Sequence, residues 1–342
     1  MVKSSAVCSN CSMVRSGFDV LCPYCGSPFI LNTFGPYSKY TEENFPYINE
    51  FILKPSKGAD FESFDGINMK IEFKTPTLSY KDRGMNNLFS YLRGKKYFES
   101  GERVSEDSSG NAGASFSLFA RICNLTPEVF VSNNSNPVKL NQIVRYGGHI
   151  NKVNGSRKDV EIAARNSGFK YLGHQYWPEF YDGFRLISYE IYEYAEHMPD
   201  AIFIPFSTGT LYLGIYAGFK HLLDSGIIEK IPLLVGVQPK NACGMYNVVN
   251  NTEFPVKGSV ADALTGVVPL RARILMEIIQ KYGSIEIVDE ENIIDGQSRL
   301  LDSGIDAEYS SAIAYSAAMM HGEMKNKMVI LTGHGIKNLL SD

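Results

Sequence analysis

Short apolar runs alternate with longer amphipathic stretches along most of this chain. Beyond Asn32, the apolar runs predict strands and the amphipathic stretches predict helices. The predicted strands are 69–73, 103–106, 128–132, 149–153, 201–206, 233–238, 284–289 and 328–332, and the predicted helices are 82–93, 112–123, 137–146, 156–167, 183–197, 210–223, 271–282 and 311–321. Such alternation is typical of an α/β fold with a largely parallel sheet wrapped by helices.

Length and charge narrow this picture. A chain of 342 residues exceeds the usual size of one hydrophobic core, so we expect two α/β domains and a small appendage. The net charge of -4 gives no sign of nucleic-acid binding. No apolar run approaches the roughly 20 residues that cross a bilayer, and the N-terminus has no apolar signal core. We therefore expect a cytoplasmic protein that binds neither nucleic acid nor membrane.

Four of the six cysteines form one tight pattern near the N-terminus. Two residues separate Cys8 from Cys11, and after ten more residues the same spacing recurs between Cys22 and Cys25. Four thiolates in two such knuckles suit the tetrahedral coordination of Zn²⁺ in a structural site, whereas disulfide scaffolds are built differently. We predict a zinc ribbon over residues 1–32; a redox dithiol pair and an iron site are the alternatives.

Polar, glycine-containing loops follow four of the predicted strands. They read KTPTLSYKDRG at 74–84, DSSGNAG at 107–113, STGT at 207–210 and TGHG at 332–335. In open α/β sheets, ligands collect beyond the carboxyl ends of the strands. Each loop alone is an ordinary turn into a helix, so the prediction of a shared site depends on their common placement.

In sequence and order, these loops resemble those of the fold type II pyridoxal 5'-phosphate (PLP) enzymes, and within them the threonine synthase-like branch. Residues 76–84 match the family's Pro-Thr-x-Ser-Phe-Lys-Asp-Arg-Gly segment, with Tyr80 as the aromatic residue. Residues 108–111 match its Ser-x-Gly-Asn loop and 332–335 its Thr-Gly-x-Gly end, and 304–312 are similar to a segment usually written Glu-Pro-Ser-Ser-Ala. The resemblance covers nearly the whole chain, and many threonine synthases also begin with a cysteine knuckle.

The resemblance implies a role for each loop. Lys81 would hold PLP as a Schiff base and, once displaced, act as the base that removes the Cα proton. Asn111 would donate to the 3'-oxygen of the ring, and Thr332 would face the pyridine nitrogen, where a neutral hydroxyl makes the ring a weaker electron sink. The cofactor phosphate would be held at a helix start by Ser207, Thr208, Gly209 and Thr210. The predicted substrate-binding residues are Ser108, Ser109, Gly110, Ala112 and Gln175, with Lys74 or Arg83 adding positive field.

The resemblance thins where threonine synthases bind the phosphate of O-phosphohomoserine. The corresponding stretch here is 174–183, in which Phe180 replaces the family's arginine and Glu179 adds a negative charge. An acidic, aromatic wall suits a phosphate dianion poorly. His174 and Trp177 of this stretch could face a substrate, although packing is the more ordinary use of such an aromatic cluster.

We therefore expect a PLP-dependent lyase or synthase that catalyses elimination or replacement at Cβ or Cγ of a small amino acid. One alternative is threonine synthase itself, with its substrate phosphate held by Lys70, Lys74, Arg83, Ser156 or Arg157. The other is a non-catalytic PLP-fold scaffold with a zinc ribbon that binds a partner.

The family's architecture implies two doubly wound α/β domains with the cofactor in the cleft between them. The large domain would comprise residues 33–91 and 185–342, and the small domain 92–184 with the Ser-Ser-Gly-Asn loop. Closure of the cleft would exclude water. Homodimers are usual in the family.

Overall fold

The computed structural model describes residues 6–31, 35–55 and 60–338. Residues 1–5 and 32 of the predicted ribbon, and 33–34, 56–59 and 339–342 of the predicted large domain, lie outside this description. The strands are β1 Ala6–Cys8, β2 Phe29–Leu31, β3 Phe61–Phe64, β4 Ile67–Ile71, β5 Arg103–Glu106, β6 Thr126–Ser132, β7 His149–Val153, β8 Lys170–Tyr171, β9 Ala201–Pro205, β10 Leu233–Pro239, β11 Gly283–Val288 and β12 Lys327–Leu331.

Helices follow most of these strands. They are α1 Lys81–Gly94, α2 Asn111–Ile122, α3 Pro137–Arg145, α4 Arg157–Arg165, α5 Pro178–Asp182, α6 Arg185–Tyr194, α7 Thr210–Asp224, α8 Gly244–Asn250, α9 Ala272–Tyr282, α10 Glu290–Asp302 and α11 Tyr309–Met319. Within the described ranges, no helix is both long and apolar enough to cross a membrane.

A six-stranded sheet runs in the order β11-β10-β9-β12-β4-β3. Five of its strands are parallel, and β3 pairs antiparallel with β4 at the edge. The turn between β3 and β4 contains Asp65 (φ 51°) and Gly66 (φ 71°), the left-handed pair that suits a two-residue hairpin. Helix α11 lies against this sheet with its side chains almost entirely buried, as its run of small and apolar residues requires.

A four-stranded parallel sheet has the order β7-β6-β5-β8. Its strands fall between residues 103 and 171, inside the predicted small domain, whereas the six-stranded sheet is built from chain segments on either side. Helix α4 begins with a capping box in which Ser156 and Asp159 bond each other's backbone N–H groups, so its start is encoded locally. The predicted α/β architecture is confirmed, whereas the domain boundaries stay predictions.

The cysteine-containing ribbon packs on the α/β body through buried polar contacts. Its antiparallel strands β1 and β2 pair from Ala6–Leu31 to Cys8–Phe29. Arg271, just before α9, donates to the carbonyl of Phe29 (2.9 Å), and the N–H of Leu31 donates to the Tyr181 hydroxyl on α5 (2.9 Å). The ribbon is therefore held against α5 and the segment before α9.

Candidate active site

Three neighbouring parallel strands of the large sheet deliver three of the predicted loops to one edge. Strand β12 pairs with β4 on one side and with β9 on the other. Their carboxyl ends lead to Lys81, to Thr332 and to the loop 207–210. The Ser108–Gly110 loop comes from β5 of the small sheet, and all four loops line one cavity of about 500 Å³.

Lys81 begins helix α1 and faces this cavity. Its Nζ donates to the Tyr80 hydroxyl at 2.6 Å and lies over the Tyr80 and Phe180 rings, 4.4 and 5.6 Å from their centroids. Aromatic faces attract a cation without forming an ion pair with it. The amine is thus positioned and remains chemically accessible.

The loop before Lys81 is fixed by the buried carboxylate of Asp82. Its Oδ2 accepts from the N–H of Thr77 (2.7 Å), and its Oδ1 accepts from the hydroxyls of Thr77 (2.6 Å) and Ser115 (2.6 Å). The backbone in between turns through Leu78 in the left-handed region (φ 58°), a conformation that costs a non-glycine residue about 1 kcal/mol. Ser115 lies on α2, so Asp82 ties the lysine loop to the opposite wall of the cavity.

The Ser108–Gly110 loop packs directly on the first turn of α2. A Cβ on Gly113 would lie 1.9 Å from the carbonyl oxygen of Ser108, so only glycine allows this approach. The Asn111 amide, at the start of the helix, donates to both carboxylate oxygens of Glu308 (3.0 and 3.3 Å). Glu308 lies just before α11, which packs on the six-stranded sheet. This contact crosses the cleft and fixes the orientation of Asn111.

The loop 207–210 forms a cradle at the N-terminus of the fifteen-residue helix α7. Gly209 has φ 73°, and a Cβ there would lie 2.4 Å from a methyl group of Leu275. The first N–H groups of a helix lack intrahelical partners and attract anions, and here the Thr208 and Thr210 hydroxyls, 3.3 Å apart, add donors. This donor set fits the phosphate of the predicted cofactor.

Thr332 is buried and lines the same cavity. Its N–H donates to the Ser311 hydroxyl (2.7 Å), and its carbonyl accepts from the N–H of Tyr80 (3.0 Å). The end of β12 is thus bonded both to α11 and to the lysine loop. The lysine, the amide, the anion cradle and the neutral hydroxyl residue all line one cavity, and this set of residues fits PLP.

Two carboxylates, Glu106 and Asp107, lie at the end of β5, directly before the Ser108–Gly110 loop. Asp107 forms an ion pair with Arg157 and accepts from the Tyr171 hydroxyl (2.7 Å). Nδ1 of His174 is hydrogen-bonded to one oxygen of Glu106 (2.9 Å), and the His174 backbone N–H donates to the other oxygen (3.0 Å). Burial raises the pKa of Glu106 to about 7, while burial and the charge of Lys81 lower the pKa of His174 to about 3.

Every predicted cofactor residue lines the cavity, and so do Ser108, Ser109, Gly110 and Ala112. Gln175 is not among the described lining residues; its carbonyl accepts from Arg271 (2.5 Å). The acidic wall expected from 174–183 is absent from the described lining, because Glu179 turns away to pair with Arg15 and only His174 of that stretch lines the cavity.

Three of the cations considered for a substrate phosphate are engaged elsewhere. Lys70 and Arg83 form a buried cluster with Glu72 and Glu190, at 2.5 to 2.8 Å. Lys74 pairs with Asp60 at the surface (3.0 Å). None of the three, nor Ser156, is among the described residues that line the cavity, whereas Arg157 is. The field of Lys74 or Arg83 on a substrate carboxylate is therefore not supported.

Further lining residues come from segments that the motifs did not include. Lys139 of α3 and Asp262 form an ion pair across the cavity edge, and Asn134 and Asn136 precede α3. The polar run after β6 was a usable signal, because it follows a strand of the small sheet. The segment around Asp262 has no regular secondary structure, and its sequence offered no signal.

The four predicted metal ligands come together in the ribbon. The Sγ atoms of Cys8, Cys11, Cys22 and Cys25 all lie within 4.8 Å of one another. The Cys8–Cys25 distance is 3.4 Å, and Cys11 lies 3.7 Å from both Cys22 and Cys25. Around a zinc ion with Zn–S bonds of about 2.3 Å, tetrahedral sulfurs are about 3.8 Å apart. The cluster is compatible with a small metal-binding region.

Comparison with known proteins agrees with this geometry. The family model described as "Pyridoxal-phosphate dependent enzyme" matches residues 55–333. Threonine synthase of Methanosarcina acetivorans is 24% identical over 306 residues, covering 84% of this chain and 74% of that protein. Threonine synthase of Methanocaldococcus jannaschii is 28% identical over 292 residues, covering 79% and 70%.

A solved structure shares the fold. Maize serine racemase superposes with a TM-score of 0.69 at 20% identity, covering 81% of this chain and 88% of the other. The prediction of a PLP-dependent enzyme in the lyase and synthase class is confirmed by these matches. Because the family model spans most of the chain, including the cavity residues from Lys81 to Thr332, the protein belongs to the pyridoxal-phosphate-dependent enzymes.

Proposed function

We propose that this enzyme catalyses elimination or replacement at Cβ or Cγ of a small amino acid, with PLP held on Lys81. The observation that carries this proposal is the position of Lys81 Nζ, which lies in a cavity that also contains Asn111, Thr332 and the 207–210 cradle. Bound PLP supplies an electron sink that makes the Cα proton of an amino acid removable. The Thr332 hydroxyl, a neutral group, fits elimination and replacement better than transamination.

The other functions, cofactor anchoring, substrate binding and proton transfer, would be carried out by residues of the chain. The 207–210 loop would anchor the cofactor phosphate, and Asn111 would orient the ring. The N–H and hydroxyl groups of 108–112 would bind the substrate α-carboxylate. The Lys81 amine, over aromatic rings and hydrogen-bonded to Tyr80, would take up and return the Cα proton.

The charges around the cavity favour a leaving group other than phosphate. Besides Lys81, the cations among the described lining residues are Lys139 and Arg157, and each is already paired, with Asp262 and Asp107. A phosphate dianion would have to compete with these carboxylates. Candidate reactions are deamination of serine or threonine and β-replacement.

Threonine synthase remains the second candidate, because the named relatives are threonine synthases. Incubation with O-phosphohomoserine, with measurement of phosphate and threonine, separates the two. We expect little turnover with O-phosphohomoserine and 2-oxo acid formation from hydroxy amino acids. Rapid release of phosphate together with an equal amount of threonine would reverse the choice.

A non-catalytic scaffold predicts different behaviour of Lys81. The enzyme should be yellow as purified, and borohydride should fix PLP to the peptide that contains Lys81. Lys81→Ala should lose both properties and the activity. Full activity in a colourless Lys81→Ala protein would exclude the enzymatic proposal.

We also propose that the four cysteines bind structural Zn²⁺. Metal analysis should find one zinc per chain, and Cys22→Ser should reduce it. One iron per chain, or a redox-active cysteine pair without metal, would contradict this. Homodimerisation and a cytoplasmic location stay predictions, the first testable by light scattering.

A further inference from the structure

His174 is the residue of the divergent stretch that reaches the cavity. Its side chain is 9% exposed, and Nδ1 lies 2.9 Å from Oε1 of Glu106, whose side chain is fully buried. The other oxygen of Glu106 accepts from the His174 backbone N–H at 3.0 Å. Two contacts from one carboxylate fix the ring, and among the described residues Nε2 has no hydrogen-bond partner.

This pair differs from an ordinary surface contact. The small sheet contains a second histidine–glutamate pair, His149 with Glu128 (3.1 Å), but the His149 side chain is 63% exposed and lies outside the described cavity lining. Burying a carboxylate is expensive unless it is paired. A fully buried glutamate whose partner faces the active cavity is therefore a candidate for chemistry, and the exposed His149 serves as a control.

We propose that His174, oriented by Glu106, is a second acid–base group that exchanges a proton with a hydroxyl or water on the substrate side chain. The inference rests on the proposed function, because it takes Lys81 as the group that removes the Cα proton. It also defines the substrate class, which is an amino acid whose side-chain hydroxyl leaves as water or whose unsaturated intermediate adds water.

The proton balance of the pair is simple. In the acid form, the Glu106 carboxyl donates to Nδ1, and Nε2 carries the imidazole proton. When the Cα–H electron pair forms the Cα=Cβ bond and the C–O bond breaks, Nε2–H protonates the departing oxygen as water. Nδ1 takes the Glu106 proton, leaving a carboxylate that accepts from Nδ1–H. Addition of water reverses these transfers, and the imidazole is neutral at both ends.

The groups around the pair fit this neutral exchange. Lys81 on α1, Arg157 on α4, Asp107 after β5 and Tyr171 on β8 are the charged or titratable groups that act on it. Lys81 and burial both oppose an imidazolium. Proton transfer within the pair adds no charge to the ring, so the histidine can serve as an acid without becoming a cation.

The test compares leaving groups that do and do not need a proton. L-Serine must lose hydroxide or water, whereas β-chloro-L-alanine loses chloride and gives the same product, pyruvate. His174→Asn keeps a donor toward Glu106 but removes Nε2, and Glu106→Gln removes the dissociable proton. Cα–H exchange of L-serine in D₂O, followed by NMR, reports Lys81 chemistry separately.

We expect both variants to bind PLP and to retain Cα exchange, yet to eliminate water from L-serine at least about 100-fold more slowly. Elimination from β-chloro-L-alanine should stay within about threefold of wild type. His149→Asn should behave as wild type in every assay.

Three results would overturn the inference. They are an equal loss with both substrates, unchanged serine elimination in the variants, and a wild-type enzyme that exchanges Cα–H of serine without eliminating water. The last would leave the proposed function intact. A wild-type enzyme that exchanges Cα–H of no amino acid would refute the proposed function and, with it, the role of His174.

Discussion

Arg15 of the ribbon forms an ion pair with Glu179 of α5, and both side chains are buried (6% and 1% exposed). Arg15 also donates to the Tyr91 hydroxyl (3.1 Å) on α1, the helix that begins with Lys81. On α5, the neighbouring Phe180 lies against Lys81. Arg15 therefore connects the ribbon to both helices that support the lysine, by an ion pair to α5 and a hydrogen bond to α1.

Replacing Arg15 by alanine should destabilise the fold markedly. Removing one partner of a buried pair leaves the other charge uncompensated, which costs about 3–5 kcal/mol. We expect urea unfolding to show a loss of this order in the free energy of unfolding. Arg273→Ala, which removes an exposed cation on α9, should change it by less than about 0.5 kcal/mol. Similar losses in the two variants would contradict a special role for Arg15.

Asp82→Asn should weaken the link between the lysine loop and α2. The carboxylate accepts three hydrogen bonds, and an amide can reproduce only part of them because its nitrogen would face donors. Hydrogen bonds to charged groups contribute about 1.5–3 kcal/mol each. We expect the free energy of unfolding to fall by about 2–3 kcal/mol, measured by denaturant titration, with PLP released more readily. Ser115→Ala, which removes one donor to this carboxylate, should cost about 1.5 kcal/mol, the low end of that range. Equal effects of the two variants would show that the Asp82 charge is unimportant.

The sequence predicted the elements around the cavity because those elements are locally encoded. Apolar runs of the parallel strands are buried on both faces, as in β9 and β12, and therefore stand out. Each loop after such a strand carries its own turn chemistry, so Lys81, Asn111 and Thr332 could be placed together before any geometry was known. The edge strand β3 and the two-residue β8 were missed, because strands so short or so exposed have little apolar pattern.

The roles of charged residues could not be predicted in the same way. Lys70 and Arg83 looked available, but the partner that buries them, Glu190, is more than a hundred residues further along the chain. Although burial opposes it, the charges of Arg83 and Lys70 hold the pKa of Glu72 below its usual value. Glu179 likewise turns to a residue of the ribbon. Such pairings depend on tertiary contacts that no local spacing encodes.

Gly113→Ala should displace the predicted carboxylate loop. The added Cβ would meet the Ser108 carbonyl oxygen at 1.9 Å, and a backbone atom cannot move aside cheaply. We expect a loss of about 1–3 kcal/mol in unfolding free energy and a raised KM for the amino acid, measured by steady-state kinetics. Gly110→Ala is the matched control for the steric clash, because a Cβ at residue 110 would meet no heavy atom within 4 Å. An unchanged KM in Gly113→Ala would show that the loop does not bind substrate.

Glu106 and His174 should give the stability of the fold a pH dependence of predictable sign. Burial raises the pKa of Glu106 from 4.5 to about 7, so the folded state binds this proton more tightly than the unfolded state. The resulting stabilisation is complete below pH 4.5 and is lost as the pH rises to about 7. A shift of this size corresponds to about 3 kcal/mol. For His174 the direction is opposite: burial and Lys81 lower its pKa to about 3, so its contribution is present above pH 6.5 and is lost as the pH falls toward 3.

Comparison of wild type with Glu106→Gln isolates the glutamate contribution. The variant cannot lose this proton, so the stability of wild type relative to the variant should decrease between pH 4.5 and 7 and then stay constant. Melting temperatures at half-unit pH intervals measure this difference. Glu128→Gln is a control of opposite sign: although burial opposes it, hydrogen bonds from Asn151 and Arg103 lower the pKa of Glu128, so its contribution should be lost as the pH falls. In the folded protein, burial favours the protonated form of Glu106. A stability difference that did not change with pH would mean that Glu106 is ionised over the whole range. The acid form of the Glu106–His174 pair would then be unavailable for protonating a departing hydroxyl.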